Sequence, residues 1–501
     1  MRVALITEGT YPYQSGGAST WCRQLIAGLP RHEYGVVAIT SDTGRRRPGQ
    51  PLPPNVTALV PVPIWDRPVT VPGRLAALRH RRAATSAAVL LCRGILGDGP
   101  HQAAMFRDGL LRLARLTATG VHPLPGVPLA EVMLDAWRAT RASTTAEPDD
   151  TDFRVPLPRL ALRDAQTAAV LLEHALRPLA VTLPAAQLCH PVAGGLPLLV
   201  ALAARWRTGT PYLLTEDGIY LRQRFVEYGD TVPEAVKAVM LRFFRALSRL
   251  GYAEAGLIAS ASRFTQRWQL RHGAQPTGVV VVPAGVDPAE WSAPAGPARP
   301  APPGSGLPAP PTVVWVGRLE PLADLHTLIR AFGLLRRWLP EARLRLVGPT
   351  GDEGYATSCH ALVRRLELRT AVEFAGPVAH ASNAYASGHL VAHSGISEGT
   401  PRTVLEAMMC GRATVSSDVG GVAELVGDAG VVVPPGDPTA FATAMHGLLA
   451  DGPRRHALGA AAAERARGRF TLDRMLRAYD QLYIDVHAEN ARAAGQPVLT
   501  A

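Results

Sequence analysis

Two glutamates eight positions apart, Glu398 and Glu406, are the residues of this chain best spaced to do chemistry. They lie in His393–Gly411, HSGISEGTPRTVLEAMMCG. The pattern predicts a strand ending at Ser394, a loop carrying Glu398 and Gly399, and a helix capped by Thr400. Pro401 falls at the first helical position, where a missing N–H costs nothing. Gly411, just past Cys410, supplies the stop. Unpaired backbone N–H groups then open at the carboxyl edge of a strand, where α/β sheets bind ligands and a phosphate is expected. Glu406, ~9 Å along the helix at 1.5 Å per residue, is placed for a group one ribose away. Glu398 would meet the group on the other side of the phosphates. A cradle between two carboxylates suits a nucleotide sugar. The alternative on spacing alone is a capped helix with two solvated glutamates.

Such a loop needs parallel strands behind it, and the chain supplies them twice. Met1–Thr40 reads as strand, glycine loop (YPYQSGGAS), helix and strand. Alternation of this kind implies a parallel sheet covered on both faces. AAQLCHP, PYLLTEDG, LIASAS and GVVVVPAG continue it after a long Ala/Leu/Arg-rich helical insertion at about 74–181. Ala293–Pro311 holds eight prolines and no periodicity, an extended linker. TVVWVGR, RLRLVGP, AVEFAG, HLVAHS, ATVSS and GVVVPPG then alternate with helices. The expected organisation is an α/β chain of two doubly wound domains facing one cleft: 1–292, a linker at 293–311, and 312–468. A last helical segment, 469–501, would fold back onto the first domain.

Composition removes other chemistries. The chain has 501 residues, 47% of them hydrophobic and 19% charged, too long for one ordinary core and not disordered. Its net charge is +11, and Lys237 is its only lysine among 52 basic residues. No G-x-x-x-x-G-K-[ST] phosphate loop exists, and a lysine Schiff base could form only at Lys237. Five scattered cysteines without C-x-x-C suggest neither disulfides nor structural zinc. Asp150-Thr151-Asp152 spells D-x-D but follows Pro148 in a polar stretch, so no metal is expected there. MRVALITEG reads as a buried strand, not a leader, and the apolar run Leu196–Ala204 is too short to span a bilayer. A cytoplasmic protein is expected, with a basic surface suited to anionic partners.

The segment SEGTPRTVLEAMMCGRATVSSDVGGVAELV resembles glycosyltransferase family 4, with Glu398 and Glu406 as its E-x7-E pair. VGRLEPLADLHTLIRAF, VVPAGVD and EGTYPYQSGGAS match further blocks in the same order. With LLTEDGIYLRQR and the insertion, the chain is most similar to Pel-type exopolysaccharide glycosyltransferases.

The resemblance implies the GT-B fold and retaining transfer from a nucleoside-diphosphate sugar, most often UDP-linked, without a metal or other cofactor. Gly16 and Gly17 would let backbone approach the donor phosphates. Arg318 would grip the diphosphate, aided by N–H groups near Gly399, Thr400 and Thr403. Glu406 would bind the ribose hydroxyls and Glu398 the transferred sugar. His190 would face sugar and acceptor, a packed strand-end histidine being the alternative; Glu216 and Asp217 fall on the acceptor side. Three positions depart from the family: Ala323 replaces a phosphate-binding lysine, Ala284 an asparagine and Asp217 a histidine. Arg402 is a candidate second phosphate cation in place of that lysine. The implied partners are the donor and a glycan acceptor, with peripheral contact to the inner membrane or to membrane polysaccharide-synthesis proteins, and no nucleic acid. A catalytically impaired nucleotide-binding scaffold is the competing reading.

Overall fold

A computed structural model describes residues 1–9, 11–14, 16–41, 48–65, 74–97, 101–117, 122, 124–143, 158–229, 232–291 and 310–493. The D-x-D triplet and nearly all of the proline-rich linker lie outside the described residues. The chain divides into two compact units. One comprises Met1–Ser260, Gln266–Val280 and Tyr479–Ala501; the other comprises Ala261–Thr265 and Val281–Ala478.

In the first unit, β1 (Arg2–Glu8) lies between β2 (Glu33–Thr40) and β4 (Leu188–Pro191), with β3 (Val56–Pro63) outside β2, all parallel. β5 (Leu213–Glu216), β6 (Leu257–Ser260) and β7 (Val279–Val281) form the next sheet. Parallel bridges Cys189–Tyr212 and Val192–Thr215 tie it to β4. The order 3-2-1-4-5-6-7 reverses between β1 and β4, the crevice where such sheets take ligands. β1 and β2 are buried almost without interruption because helices cover both faces. The described part of the segment between β3 and β4 holds α2 (Arg74–Leu96), α3 (Gln102–Leu116), α4 (Leu129–Ser143) and α5 (Leu162–Leu176). No described helix is long and apolar enough to cross a membrane.

An ionic knot fastens the insertion. Arg177 meets Glu173 through Nε at 3.2 Å and Nη2 at 3.1 Å, and also donates to the Ile64 carbonyl at 2.8 Å. His122 Nε2 lies 3.1 Å from the same carboxylate. Burial alone would raise the Glu173 pKa, but His122 and Arg177 outweigh it and hold the group at about 2. A depressed carboxylate stabilises the fold above its unfolded pKa and stops doing so as pH falls toward 2. Glu173→Gln should therefore cost about 3 kcal/mol near neutrality. Urea unfolding checks it: the gap to wild type should narrow as pH is lowered from about 5 toward 2.

The second unit holds one six-stranded parallel sheet, order β10-β9-β8-β11-β12-β13. Its strands are β8 (Thr312–Val316), β9 (Arg343–Val347), β10 (Val372–Gly376), β11 (Leu390–His393), β12 (Thr414–Ser417) and β13 (Val431–Val433). Alternate residues serve different cores. Val313, Trp315, Leu390 and Ala392 pack with Phe332 of α10 (Leu325–Trp338) and Phe441 of α15 (Pro438–Ala450). Val391 packs with Leu405 and Met408 of α13 (Arg402–Met409) and with Ala462 of α16 (Gly452–Arg469). The strand order again reverses between β8 and β11.

The chain changes unit at places other than the expected 292 and 468. Residues 281–291 belong to the second unit, because Val286 and Trp291 join the α13 core. The Val286 N–H also donates to the Phe470 carbonyl, and the Leu472 N–H donates to the Val286 carbonyl. The last helix, α17 (Leu472–Ala493), passes into the first unit at Tyr479, where Tyr479, Leu482, Tyr483 and Val486 are buried.

Candidate active site

The two strands that flank the order reversal of the second unit pair directly, Leu390 with Val313 and Val391 with Val314. Arg318 and Glu398 therefore leave neighbouring strands at the same carboxyl edge. Their loops are joined: the Ser394 hydroxyl donates to the Ala323 carbonyl at 2.8 Å, and the Ile396 N–H to the Leu322 carbonyl at 3.0 Å. Ala323 closes the one-turn 3-10 helix Pro321–Ala323. Ala323, where the resemblance implies a lysine, thus docks on the Glu398 loop through its backbone.

Glu398 is held from both sides. His393, at the end of β11 and 6% exposed, places Nε2 3.2 Å from Glu398 Oε1. Ser417 pins the loop by donating to the Gly395 carbonyl at 2.6 Å. Opposite, Gly420 has φ +57°, and a Cβ built on it would sit 2.0 Å from the Glu398 carbonyl oxygen. The Gly421 N–H donates to the Gly399 carbonyl at 2.7 Å. Backbone stacked on backbone sets the loop, and the Glu398 side chain keeps one third of its surface open. From sequence alone His393, Ser394 and Ser417 carry no assigned role; the signal available was the polar residues ending β11 and β12.

α13 starts one residue later than expected. Pro401 precedes the helix with φ −67° and ψ 112°, and no side chain caps it. Thr400 is buried and donates instead to the Ala261 carbonyl at 3.3 Å, correcting its expected capping role. Other helices of the unit do carry caps: Asp437 accepts from two N–H groups of α15, and Asp451 from one of α16. Gly411 stops α13 with φ +67°. Its N-cap residue thus offers no side chain to the first N–H groups of α13, at the edge where Glu398 stands.

Glu406 and Arg402 depart from the bare carboxylate and free cation that spacing suggested. Arg402 Nε donates to Glu406 Oε1 at 2.8 Å, and the Tyr385 hydroxyl to Oε2 at 3.0 Å. Burial raises the Glu406 pKa; Arg402 and Tyr385 pull the other way. Both oxygens are engaged within the protein, so ribose binding at Glu406 requires sharing or exchange of partners. Arg318 is more open, its Nε 3.9 Å from Glu320 Oε2, and its stem crosses Gly351, where a Cβ would sit 2.5 Å from Arg318 Cγ and Cδ.

In the first unit Gly16 precedes α1 (Gly17–Gly28), which likewise has no side-chain cap and no acid in its first turn. A Cβ on Gly17 would meet no atom within 4 Å. His190 is a correction. It is fully buried on β4, Nδ1 2.7 Å from the Tyr483 hydroxyl and Nε2 2.7 Å from Thr215 Oγ1. Thr215 donates onward to Tyr479 at 3.1 Å, so Nε2 carries the proton and Nδ1 accepts from Tyr483. Burial drives its pKa to about 3, and neither nitrogen is left for a sugar.

Glu216 is a second correction. It is 1% exposed, and its Oε2 accepts from Tyr252 at 2.7 Å and from Gln269 at 3.0 Å. Burial raises its pKa, which favours the neutral acid. Asp217 alone of that pair is exposed. Glu8, which the sequence reading did not single out, ends β1 at the order reversal and accepts from Tyr220 at 2.8 Å. Among the described residues no group of three or more His, Cys, Asp or Glu side chains could hold a metal ion.

Comparison with known proteins adds the following. Residues 1–277 match the family described as a domain of unknown function (DUF3492), and residues 310–451 match glycosyl transferases group 1. The D-inositol 3-phosphate glycosyltransferase of Kineococcus radiotolerans is 40% identical over 217 residues, 39% of this chain and 49% of that protein. The enzyme of that name from Kribbella flavida is 32% identical over 282 residues, 54% of this chain and 64% of that protein. The chain thus spans about half the length of the first of these relatives, 49%. Sucrose-phosphate synthase from Thermosynechococcus elongatus superposes with a TM-score of 0.62 at 18% identity, covering 97% of this chain and 99% of that one. The Anabaena HepE protein, solved with UDP and glucose, gives 0.58 at 15% identity, with 96% and 99% covered. At such identities the likeness is one of fold: two-domain, α/β, GT-B.

Proposed function

We propose, starting from a chain that belongs to the DUF3492 family through residues 1–277 and matches glycosyl transferases group 1 over residues 310–451, that it moves a hexosyl group from a nucleoside-diphosphate sugar to a hydroxyl acceptor with retention of configuration. The observation that carries this is the uncapped start of α13 beside Glu398 and Arg318, at the order reversal of the second unit. Backbone N–H groups of α13 and the Arg318 guanidinium receive the diphosphate, where charge develops as the sugar–phosphate bond breaks. Glu398, oriented by His393, binds hydroxyls of the transferred sugar. The acceptor oxygen forms its bond to the anomeric carbon on the face the diphosphate leaves, and its proton passes to a phosphate oxygen. The chain needs no metal for this step. UDP is the preferred nucleotide of the reading, since the structural neighbour HepE was solved with UDP.

The acceptor has two sources of support. The resemblance to Pel-type enzymes favours a growing exopolysaccharide; the curated relatives are named for inositol 3-phosphate. We favour the glycan. Purified protein incubated with radiolabelled UDP-sugars and both acceptors tests this: label on the glycan supports it, and label on inositol 3-phosphate alone overturns the acceptor. UDP binding without any transfer would favour the impaired scaffold, a reading that Ala323 and the Arg402–Glu406 pair keep in view.

Arg402 is the second phosphate cation of this proposal, exchanging Glu406 for phosphate when the donor arrives. Arg402→Ala should weaken UDP binding about tenfold or more, as expected for a bond to a charged group, and leave uridine binding unchanged. Titration calorimetry with both ligands checks it.

A further inference from the structure

The second unit carries a basic, partly apolar patch at the end opposite its candidate site. α10 finishes at Trp338 before the chain enters β9 at Arg343; α11 (Glu353–Arg365) finishes before β10 begins at Val372. Both helices therefore end at the amino edge of the sheet, whereas α13 starts at the carboxyl edge, about 17 Å away over a five-residue strand. Arg337, Arg364, Arg365 and Arg369 are exposed there. Trp338 is 50% exposed and Leu366 37%. The two helix ends adjoin, since Leu366 Cδ1 lies 3.8 Å from where a Cβ on Gly333 would stand, and Arg337 is one helical turn beyond Gly333.

Arginines in a last turn complement the helix dipole, which explains the charge by itself. It does not explain an indole that stays half exposed beyond its edge-on contact with His446 at 5.3 Å, nor an exposed leucine set among the arginines. Glu341 and Glu367 are the acidic residues interspersed, so the patch stays strongly positive. Arginine around an exposed indole is the composition of a surface that rests on anionic lipid: the ring enters the headgroup layer and the guanidinium groups meet phosphates. An acidic protein would match the charge and leave the open face of the indole without a partner.

The geometry points to peripheral docking of the second unit on an anionic bilayer through Trp338, Leu366 and the arginines at the ends of α10 and α11. It leaves the carboxyl edge of the sheet directed away from the lipid, and donor binding proceeds in the docked state. This names the surface behind the membrane contact expected above and does not rest on sugar transfer.

Sedimentation with phosphatidylcholine vesicles, with and without phosphatidylglycerol, tests it on the full chain. Wild type should co-sediment only with the anionic vesicles and dissociate as salt is raised. Arg364→Glu/Arg365→Glu should bind them at least about tenfold more weakly. Trp338→Ala, which keeps the charge, should weaken binding about threefold or more. Unchanged melting temperature and UDP affinity in both variants show that fold and donor site are intact. Equal binding to both vesicle types, or variants that sediment like wild type, overturns the proposal. Retention by a DNA oligonucleotide together with no vesicle binding also overturns it, making the patch a polyanion site.

Discussion

Glu398→Gln lowers turnover of the proposed transfer about 10²–10³-fold, while UDP affinity stays within about twofold. The split follows from where the side chain is anchored. Its carboxylate takes a contact from His393 and the side chain keeps one third of its surface open, whereas nucleotide binding is assigned to α13 backbone and arginine groups. Glutamine keeps the shape and a hydrogen bond to His393 but loses the negative charge that steadies a sugar acquiring positive character. An effect confined to turnover places Glu398 at the reacting sugar. Parallel loss of UDP binding would place it at the nucleotide, and an unchanged rate would remove it from the site. Steady-state transfer rates alongside UDP calorimetry give both numbers.

Gly420→Ala should destabilise the second unit by about 3–5 kcal/mol, from a left-handed backbone combined with a clash that cannot relax cheaply. The added Cβ meets the Glu398 carbonyl at 2.0 Å and the Gly399 carbonyl at 2.8 Å. Both are backbone, so the loop carrying Glu398 must move. Transfer should fall with stability, and part of the loss should persist at temperatures where the variant is folded. Gly447→Ala is the control: Gly447 lies inside α15, and a Cβ there meets nothing within 4 Å. It should gain about 0.5–1 kcal/mol, as alanine does over glycine in a helix. Denaturant unfolding of the pair separates glycine required by contact from glycine merely present.

Two doubly wound units were legible because buried parallel strands write themselves as unbroken apolar runs, as in RVALITE and TVVWV. The loop–helix of Glu398 and Glu406 was legible for a similar reason, since proline, glycine and strand-end residues act locally. Residues whose state depends on distant partners were not. His190 looks like an exposed strand-end base until Tyr483, 293 positions later, takes one nitrogen. Glu216 looks catalytic until Tyr252 and Gln269 enclose it. The Arg402–Glu406 pair was within reach, because four residues is one helical turn and opposite charges at that spacing meet. It was missed by reading each residue against an absent ligand and not against its neighbour.

The two chain crossings bear on how this protein can be handled. The proline-rich stretch invites cutting the chain into separately expressed halves, yet neither half so made would be a complete folding unit. A fragment ending near residue 292 would lack Tyr479 and Tyr483 and leave the hydrogen bonds of His190 and Thr215 unfilled in a hydrophobic interior. One beginning at 312 would lose Val286 and the backbone pairing it makes with residues 470–472. Stitching of this kind obliges the ribosome to pass Tyr483, near the end of the polypeptide, before the first unit can close its core around His190.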